Sequence, residues 1–151
     1  MIVIDSNSLV VLLVGIIDPK LISTHKRTSI YTPQDFLDLL QVIREIENLI
    51  VLPNVWTEVD NLLNNFSGNY KWIYVNEIKN IINKTSEKYL QSKLGVDKLD
   101  FFDIGLTDSL IIELGKECDF IITSDSELSD FAIANGIKVY DMVKHRNEHF
   151  E

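Results

Sequence analysis

Two short apolar stretches that each end in an aspartate decide the fold: Met1-Ile2-Val3-Ile4-Asp5 and Phe120-Ile121-Ile122-Thr123-Ser124-Asp125. Neither shows the alternation of a half-exposed strand, so both are typical of strands buried on two faces of a parallel sheet. In such a sheet the ligand crevice lies outside the carboxyl ends of the strands. The sequence therefore predicts two carboxylates at one crevice. Their repulsion favours a bound cation, and a divalent metal ion is the candidate.

Along the rest of the chain, short apolar runs alternate with segments in which apolar residues recur at helical spacing. This alternation predicts an α/β fold, with a parallel sheet covered by helices on both faces. One helix start is especially clear, because Thr32 can cap the helix, Pro33 suits its first position and an acid follows. We predict strands at residues 2–4, 49–52, 120–123 and 137–140, and helices at residues 9–17, from Thr32 onward through Ile46, from Pro53, from Thr107 and at 126–135.

Three segments are harder to assign. Residues 70–91 fit either a short strand at 72–75 or one long helix, since apolar residues recur there at helical spacing. Residues 18–31 are polar and partly basic, and residues 95–105 are bounded by glycines. We predict that both of these segments are loops.

Length and composition predict one domain over residues 1–151. The single cysteine, Cys118, excludes an intramolecular disulfide and suits a reducing cytosol, and the N-terminus has no basic region typical of a signal peptide. The longest apolar run, residues 9–17, is far shorter than the roughly 20 residues that span a bilayer. We therefore expect a cytoplasmic protein without a membrane anchor.

The net charge of −9 argues against a protein that coats nucleic acid by charge alone. It does not argue against a metal-dependent nuclease, whose catalytic groups are acidic. Any grip on phosphate would be local. Lys26-Arg27 beside His25 is one compact basic cluster, interpretable as a solvated loop or as a contact to an RNA backbone, and residues 144–146 form another.

Two further acids are predicted to join the strand-ending pair. Glu58 is placed in the first turn of the helix after the second strand, and Asp108 in the first turn of the helix before Phe120. Each acid has a structural interpretation: a turn at Asp5, a helix cap at Asp125, and dipole-favoured positions for the other two. Four carboxylates at one edge would nevertheless repel, and Mg²⁺ or Mn²⁺ bound through oxygen would relieve this.

These residues resemble a known family. The pieces are Ile4-Asp5-Ser6-Asn7, Glu58 after Val55-Trp56-Thr57, Gly105-Leu106-Thr107-Asp108-Ser109, and Ile122-Thr123-Ser124-Asp125. In this order, and over almost the whole chain, they resemble the PIN domain. That family contains metal-dependent ribonucleases, including toxins of bacterial and archaeal toxin–antitoxin pairs.

The resemblance implies a three-layer α/β/α fold with a central parallel sheet of about five strands. It implies that Asp5, Glu58, Asp108 and Asp125 are the catalytic and metal-binding quartet for Mg²⁺ or Mn²⁺, supported by Asn7 and Thr123. It implies RNA as substrate, cleaved to a 5′-phosphate and a 3′-hydroxyl. An antitoxin protein that inserts an Arg or Lys into the acidic pocket and a homodimer are further implied partners. Residues 70–102 depart from the family pattern.

Other classes remain as alternatives. A non-catalytic PIN-like module that binds nucleic acid or protein would keep the same fold. An aspartate-dependent phosphatase would carry a second aspartate where this chain has Asn7, and a receiver domain would need paired acids beside Asp5. No Cys/His spacing indicates zinc, and no His-Asp arrangement accompanies Ser6, Ser8 or Ser124 to make a serine nucleophile.

Overall fold

The computed structural model describes residues 1–149, with side chains through His145. A five-stranded, all-parallel sheet in the order β3-β2-β1-β4-β5 lies at its centre. Helices flank the sheet, which confirms the predicted three-layer α/β/α architecture. The strands are β1 (Ile2–Ile4), β2 (Leu49–Val51), β3 (Ser86–Glu87), β4 (Phe120–Thr123) and β5 (Val139–Asp141).

The first strand is central. Ile2 pairs with Leu49 of β2 on one side and with Phe120 of β4 on the other. All three residues of β1 are buried, which explains its unbroken apolar sequence. The pairing continues past the strand, where the amide of Asp5 donates to the carbonyl of Ile122 at 3.0 Å. The carboxyl ends of β1, β2 and β4 therefore share one edge of the sheet.

The described residues form eight helices. The longest connection is between β1 and β2, where two helices and two short 3₁₀ turns lie. The bounds are α1 (Ser6–Ile17), α2 (Pro33–Ile43), α3 (Pro53–Leu63), α4 (Gly68–Lys84), α5 (Lys93–Val96), α6 (Phe101–Gly115), α7 (Ser126–Ala134) and α8 (Met142–His149). None of them is long and apolar enough to cross a membrane.

The first helix begins earlier than predicted. It starts at Ser6 rather than at residue 9, because Asp5 caps it by accepting a hydrogen bond from the Ser8 amide. Every residue from Ser8 to Gly15 is buried. The interpretation of this apolar run as a buried core helix is thus confirmed.

The capping prediction at Thr32 is also confirmed. Thr32 accepts from the amide of Asp35, and the Asp35 carboxylate accepts from the amide of Thr32, which completes a capping box. The helix ends at Ile43, before Arg44, whose φ of 67° cannot continue a helix. The spacing of Ile46 predicts that it belongs to this helix, but it lies in the short 3₁₀ turn Ile46–Asn48.

Residues 70–102 are mostly helical. The long-helix interpretation of residues 70–91 is correct through Lys84, and no strand forms at residues 72–75. The third strand comes afterwards, as the two exposed residues Ser86 and Glu87. The loop predicted at residues 95–105 is wrong, because α5 and the first turn of α6 occupy most of it. Gly105, with φ of 81°, kinks α6 there.

Beyond the fifth strand lies α8, which the sequence pattern does not predict. The second basic cluster lies on this helix. Its His145 is 3.7 Å from the Asp38 carboxylate, and the side chain of Arg146 lies outside the described ones.

Candidate functional site

Asp5 lies where the central strand passes into α1. The residue is 4% exposed. One oxygen, Oδ1, accepts from the Ser8 amide at 2.9 Å, and Oδ2 accepts from the Thr123 hydroxyl at 2.5 Å. Burial raises the pKa of Asp5, while these hydrogen bonds oppose the rise. Asp5 therefore acts as a helix cap and also presents a buried carboxylate at the sheet edge.

Asp125 occupies the matching position after β4 and caps α7. Its Oδ1 accepts from the amides of Glu127 at 2.9 Å and Leu128 at 3.2 Å. Its own amide donates to the Thr123 hydroxyl oxygen at 2.9 Å. Thr123, fully buried, thus links the two strand-ending aspartates.

Glu58 reaches the same edge from α3. It is the sixth residue of that helix, so it lies in the second turn and not in the first turn as predicted. Its Oε2 accepts from the Ser6 hydroxyl at 2.7 Å, and its Oε1 accepts from the Thr107 hydroxyl at 2.6 Å. One carboxylate thereby connects α1, α3 and α6.

Sequence reasoning missed Ser6 and Thr107 as partners of Glu58. The predicted helix start at Thr107 is wrong, because α6 begins at Phe101, and the Thr107 hydroxyl donates to Glu58. The available signal was proximity in sequence, since Ser6 follows Asp5 and Thr107 precedes Asp108. The direction of each hydroxyl depends on the packing of three helices, which no local pattern encodes.

Asp108 is the residue whose pKa the other acids of the site raise. Burial is the largest cause that raises its pKa to about 7, and the negative charges of Asp5, Asp125 and Glu58 follow in that order. Glu127, in the first turn of α7, adds a smaller effect of the same sign. The four predicted carboxylates are therefore close enough to interact electrostatically, and Glu127 is an addition that the sequence did not indicate.

Asn7 does not join this network. It is exposed and takes part in none of the hydrogen bonds between the described residues of the site. Within residues 1–149, no group of three or more His, Cys, Asp or Glu side chains is arranged as a metal-ion site. The structure thus brings the quartet to one edge, with serine and threonine hydroxyls bonded to several of its oxygens.

A further hydrogen bond lies next to the four acids. The hydroxyl of Tyr31 donates to Oγ of Ser124 at 2.6 Å. This contact joins the end of the 18–31 segment to the residue between Thr123 and Asp125. The segment is therefore anchored next to the acidic edge, although its sequence pattern indicates only a loop.

No protein-family model matches the chain, and no curated protein matches it. Among solved structures, the chain is similar to a domain of a functionally unknown protein from Methanocaldococcus jannaschii DSM 2661. The TM-score is 0.46 at 15% sequence identity, over 93% of this chain and 89% of the other.

Proposed function

We propose that this chain is a PIN-like, metal-dependent endoribonuclease that hydrolyses RNA phosphodiester bonds at Asp5, Glu58, Asp108 and Asp125. The observation that carries the proposal is the pKa of Asp108, which burial and the three other acids raise to about 7. Four carboxylates that come from distant parts of the sequence act on one another at a sheet edge where ligands bind. Perturbed carboxylates of this kind mark functional sites.

The donor chemistry fits a hard divalent cation. Every candidate ligand is a carboxylate oxygen, which suits Mg²⁺ or Mn²⁺ rather than a softer metal. Asp108 and the Oδ2 atom of Asp125 accept no hydrogen bond from the described residues, so their oxygens are open. The Asp5 oxygens accept from the Ser8 amide and the Thr123 hydroxyl, and a carboxylate has about four lone-pair sites, so Asp5 can also face a cation. Asp5, Asp108 and Asp125 would hold the ion, with Glu58 beside it; because the described side chains do not stand in ligating positions, these carboxylates would have to reorient around the ion.

Hydroxyl groups of the protein would hold the carboxylates of this site in fixed orientations. When bound, the ion lowers the pKa of a water molecule and stabilises charge on the scissile phosphate. Thr123 fixes the Asp5 carboxylate relative to the Asp125 backbone. Ser6 and Thr107 fix both oxygens of Glu58. Locked carboxylates of this kind provide the preorganisation that phosphodiester chemistry requires.

The partners that the resemblance implies are part of the same proposal. We propose a toxin-type role in the cytoplasm, with an antitoxin protein and a second copy of the chain as binding partners. Exposed apolar side chains support protein partners, because Leu99 is 94% exposed and Phe102 is 92% exposed. Contiguous apolar surface commonly marks sites of protein interaction, and these two exposed residues are three positions apart in the chain.

A cleavage assay tests the proposal. Labelled single-stranded RNA is incubated with Mn²⁺ or Mg²⁺ and wild-type protein, Asp108→Asn, or the matched control Asp97→Asn, which changes an exposed acid directly after the short helix α5. We expect metal-dependent cleavage by wild type and Asp97→Asn, and a loss of at least about 100-fold in Asp108→Asn.

Three results would contradict the proposal. Equal cleavage by wild type and Asp108→Asn would indicate a contaminating nuclease. Binding of RNA without metal-dependent cleavage would favour the alternative of a non-catalytic PIN-like module. Hydrolysis of a small phosphomonoester in place of RNA would favour the phosphatase.

A further inference from the structure

The segment between α1 and α2 carries two exposed cations in an acidic protein. Lys26 and Arg27 are both exposed, and neither forms an ion pair with a described carboxylate. The amide of Arg27 donates to Nδ1 of His25 at 3.1 Å, which fixes a tight turn through these three residues. Their positive charges also help to lower the pKa of His25, after burial. On a chain of net charge −9, such a pair is a local positive spot.

Aromatic rings adjoin this turn. The His25 ring lies 5.1 Å from the ring of Phe66, which in turn lies 6.3 Å from the ring of Tyr70 at the start of α4. Tyr70 is 40% exposed. Phe66 also contacts Tyr74, which is buried and donates to Asp60, so the base of the ring cluster is held in place. We call His25, Lys26, Arg27, Phe66 and Tyr70 the loop–helix patch.

We propose that the loop–helix patch binds single-stranded nucleic acid, with Lys26 and Arg27 on phosphates and Tyr70 stacked against a base. Unpaired cations near one exposed ring provide contacts for both the phosphates and the bases of such a strand. A duplex would satisfy the cations but would leave its bases stacked on one another and out of reach of Tyr70. An acidic peptide would likewise use the cations without needing an aromatic ring.

The patch connects to the acidic edge through its own segment. Residues 18–31 begin at the end of α1 and finish at Tyr31, whose hydroxyl donates to Ser124 beside Asp125. A strand held at Lys26 and Arg27 would therefore lie on the segment that ends at the site. The inference rests on the proposed function and extends it, because the bound strand would be the substrate of that site.

Binding is measured by fluorescence anisotropy with a labelled RNA oligonucleotide in EDTA, so that cleavage plays no part. Wild type is compared with Lys26→Glu/Arg27→Glu and with the control Lys79→Glu/Lys138→Glu, which makes the same change of net charge at exposed sites elsewhere. We expect the affinity of the patch variant to fall at least tenfold and that of the control to fall less than threefold. The log–log salt dependence should also become shallower, by about 0.7 for each phosphate that the variant no longer neutralises.

Two variants of Tyr70 test how much its ring contributes to RNA binding. Tyr70→Leu should bind about tenfold more weakly, because a base can stack on an aromatic face but not on an aliphatic chain. Tyr70→Phe keeps the ring and should bind like wild type. A Tyr70→Phe variant as weak as Tyr70→Leu would overturn the stacking role. Circular dichroism and thermal melts of every variant separate weaker binding from unfolding.

Other results of these binding experiments would overturn the proposal or separate it from the nuclease proposal. Equal weakening of the patch and control variants, or no binding by wild type, would overturn the proposal. Displacement of the RNA by polyglutamate as effectively as by unlabelled RNA would assign the patch to an acidic polypeptide and overturn it too. Parallel titrations with DNA of the same sequence distinguish the two kinds of strand. Patch-dependent binding without metal-dependent cleavage would keep this inference while contradicting the nuclease, so the two failures are distinguishable.

Discussion

The hydroxyl of Thr123 at the end of β4 donates a hydrogen bond to Oδ2 of Asp5, just past the end of β1, at a distance of 2.5 Å. The same hydroxyl oxygen accepts from the amide of Asp125 at 2.9 Å. Thr123 thus uses both its donor and its acceptor capacity between two neighbouring strands. A buried aspartate is held in one orientation, and the position of the second aspartate is tied to it.

Replacement of Thr123 by valine should destabilise the fold. Thr123→Val keeps the shape but leaves Asp5 Oδ2 and the Asp125 amide without this partner, which costs about 1–3 kcal/mol for buried groups. Thr123→Ser keeps the hydroxyl and removes one methyl group, at about 1 kcal/mol. Urea denaturation measures both. A valine variant at least as stable as the serine variant would show that the hydroxyl does not hold the site together.

Asp108 should make the metal-free protein less stable as the pH rises. Its pKa is about 7 in the folded protein and near 3.8 in the unfolded chain. Between these values the folded state binds the extra proton, so stability present at low pH is lost as the pH rises through 7. We expect the stability of wild type in EDTA to fall by about 2 kcal/mol more than that of Asp108→Asn between pH 5 and pH 8.

The control for this pH series is Asp97→Asn, which should keep the wild-type profile. The raised pKa of Asp5 contributes with the same sign in all three proteins. Parallel pH profiles for wild type and Asp108→Asn would mean that the acids do not converge on Asp108.

The parts of the fold that the sequence predicted are those where local pattern and tertiary structure agree. The strands β1, β2 and β4 are buried in the sheet, so their apolar runs were sufficient. The cap at Thr32 is a local motif and was readable for the same reason. The strand Ser86–Glu87 was missed because both of its residues are exposed at a sheet edge and carry no apolar pattern.

Residues 95–105 show why a local pattern can mislead. Two glycines suggested a loop, but Gly95 is buried and a Cβ there would lie 3.0 Å from the Leu106 side chain. Glycine at this position permits close packing of α5 on α6 and does not break a helix. Only Gly105 of the two has the positive φ that ends regular helical geometry.

The candidate site also has a part that the sequence predicts and a part that it does not. Asp5 and Asp125 were placed at one edge by topology alone, because parallel strands end together. The hydroxyls that bind Glu58 could not be predicted, since they come from α1 and α6, which are far apart in sequence.

Divalent ions should stabilise the wild type at pH 8 by relieving repulsion among the four acids. At a concentration about 100 times the Kd, the gain is about 2.7 kcal/mol, or roughly 8 °C in Tm for a chain of this size. Asp5→Asn should show little or none of this shift in Mg²⁺ or Mn²⁺. Differential scanning fluorimetry measures the shift against samples in EDTA. Equal shifts in wild type and Asp5→Asn would remove Asp5 from the site.

Gly105→Ala should damage both stability and the site. Gly105 has φ of 81° and ψ of −179°, a conformation that is accessible essentially to glycine alone. No atom lies within 4 Å of a Cβ built there, so the cost of about 1–3 kcal/mol would come from backbone strain rather than from a clash. If the backbone relaxes, Thr107 moves away from Glu58 and Asp108 moves with it.

Gly136→Ala is the matched control for this kink, since its φ of 76° also favours glycine and no atom crowds it. It follows the C-terminal end of α7, whereas Asp125 caps the N-terminal end of that helix. We expect both variants to unfold at lower urea concentration than wild type, because both force a side chain into a glycine conformation. Only Gly105→Ala should also abolish metal-dependent RNA cleavage and the metal-induced rise in Tm, because only its relaxation displaces Asp108. If cleavage falls equally in the two variants, the kink does not position Asp108.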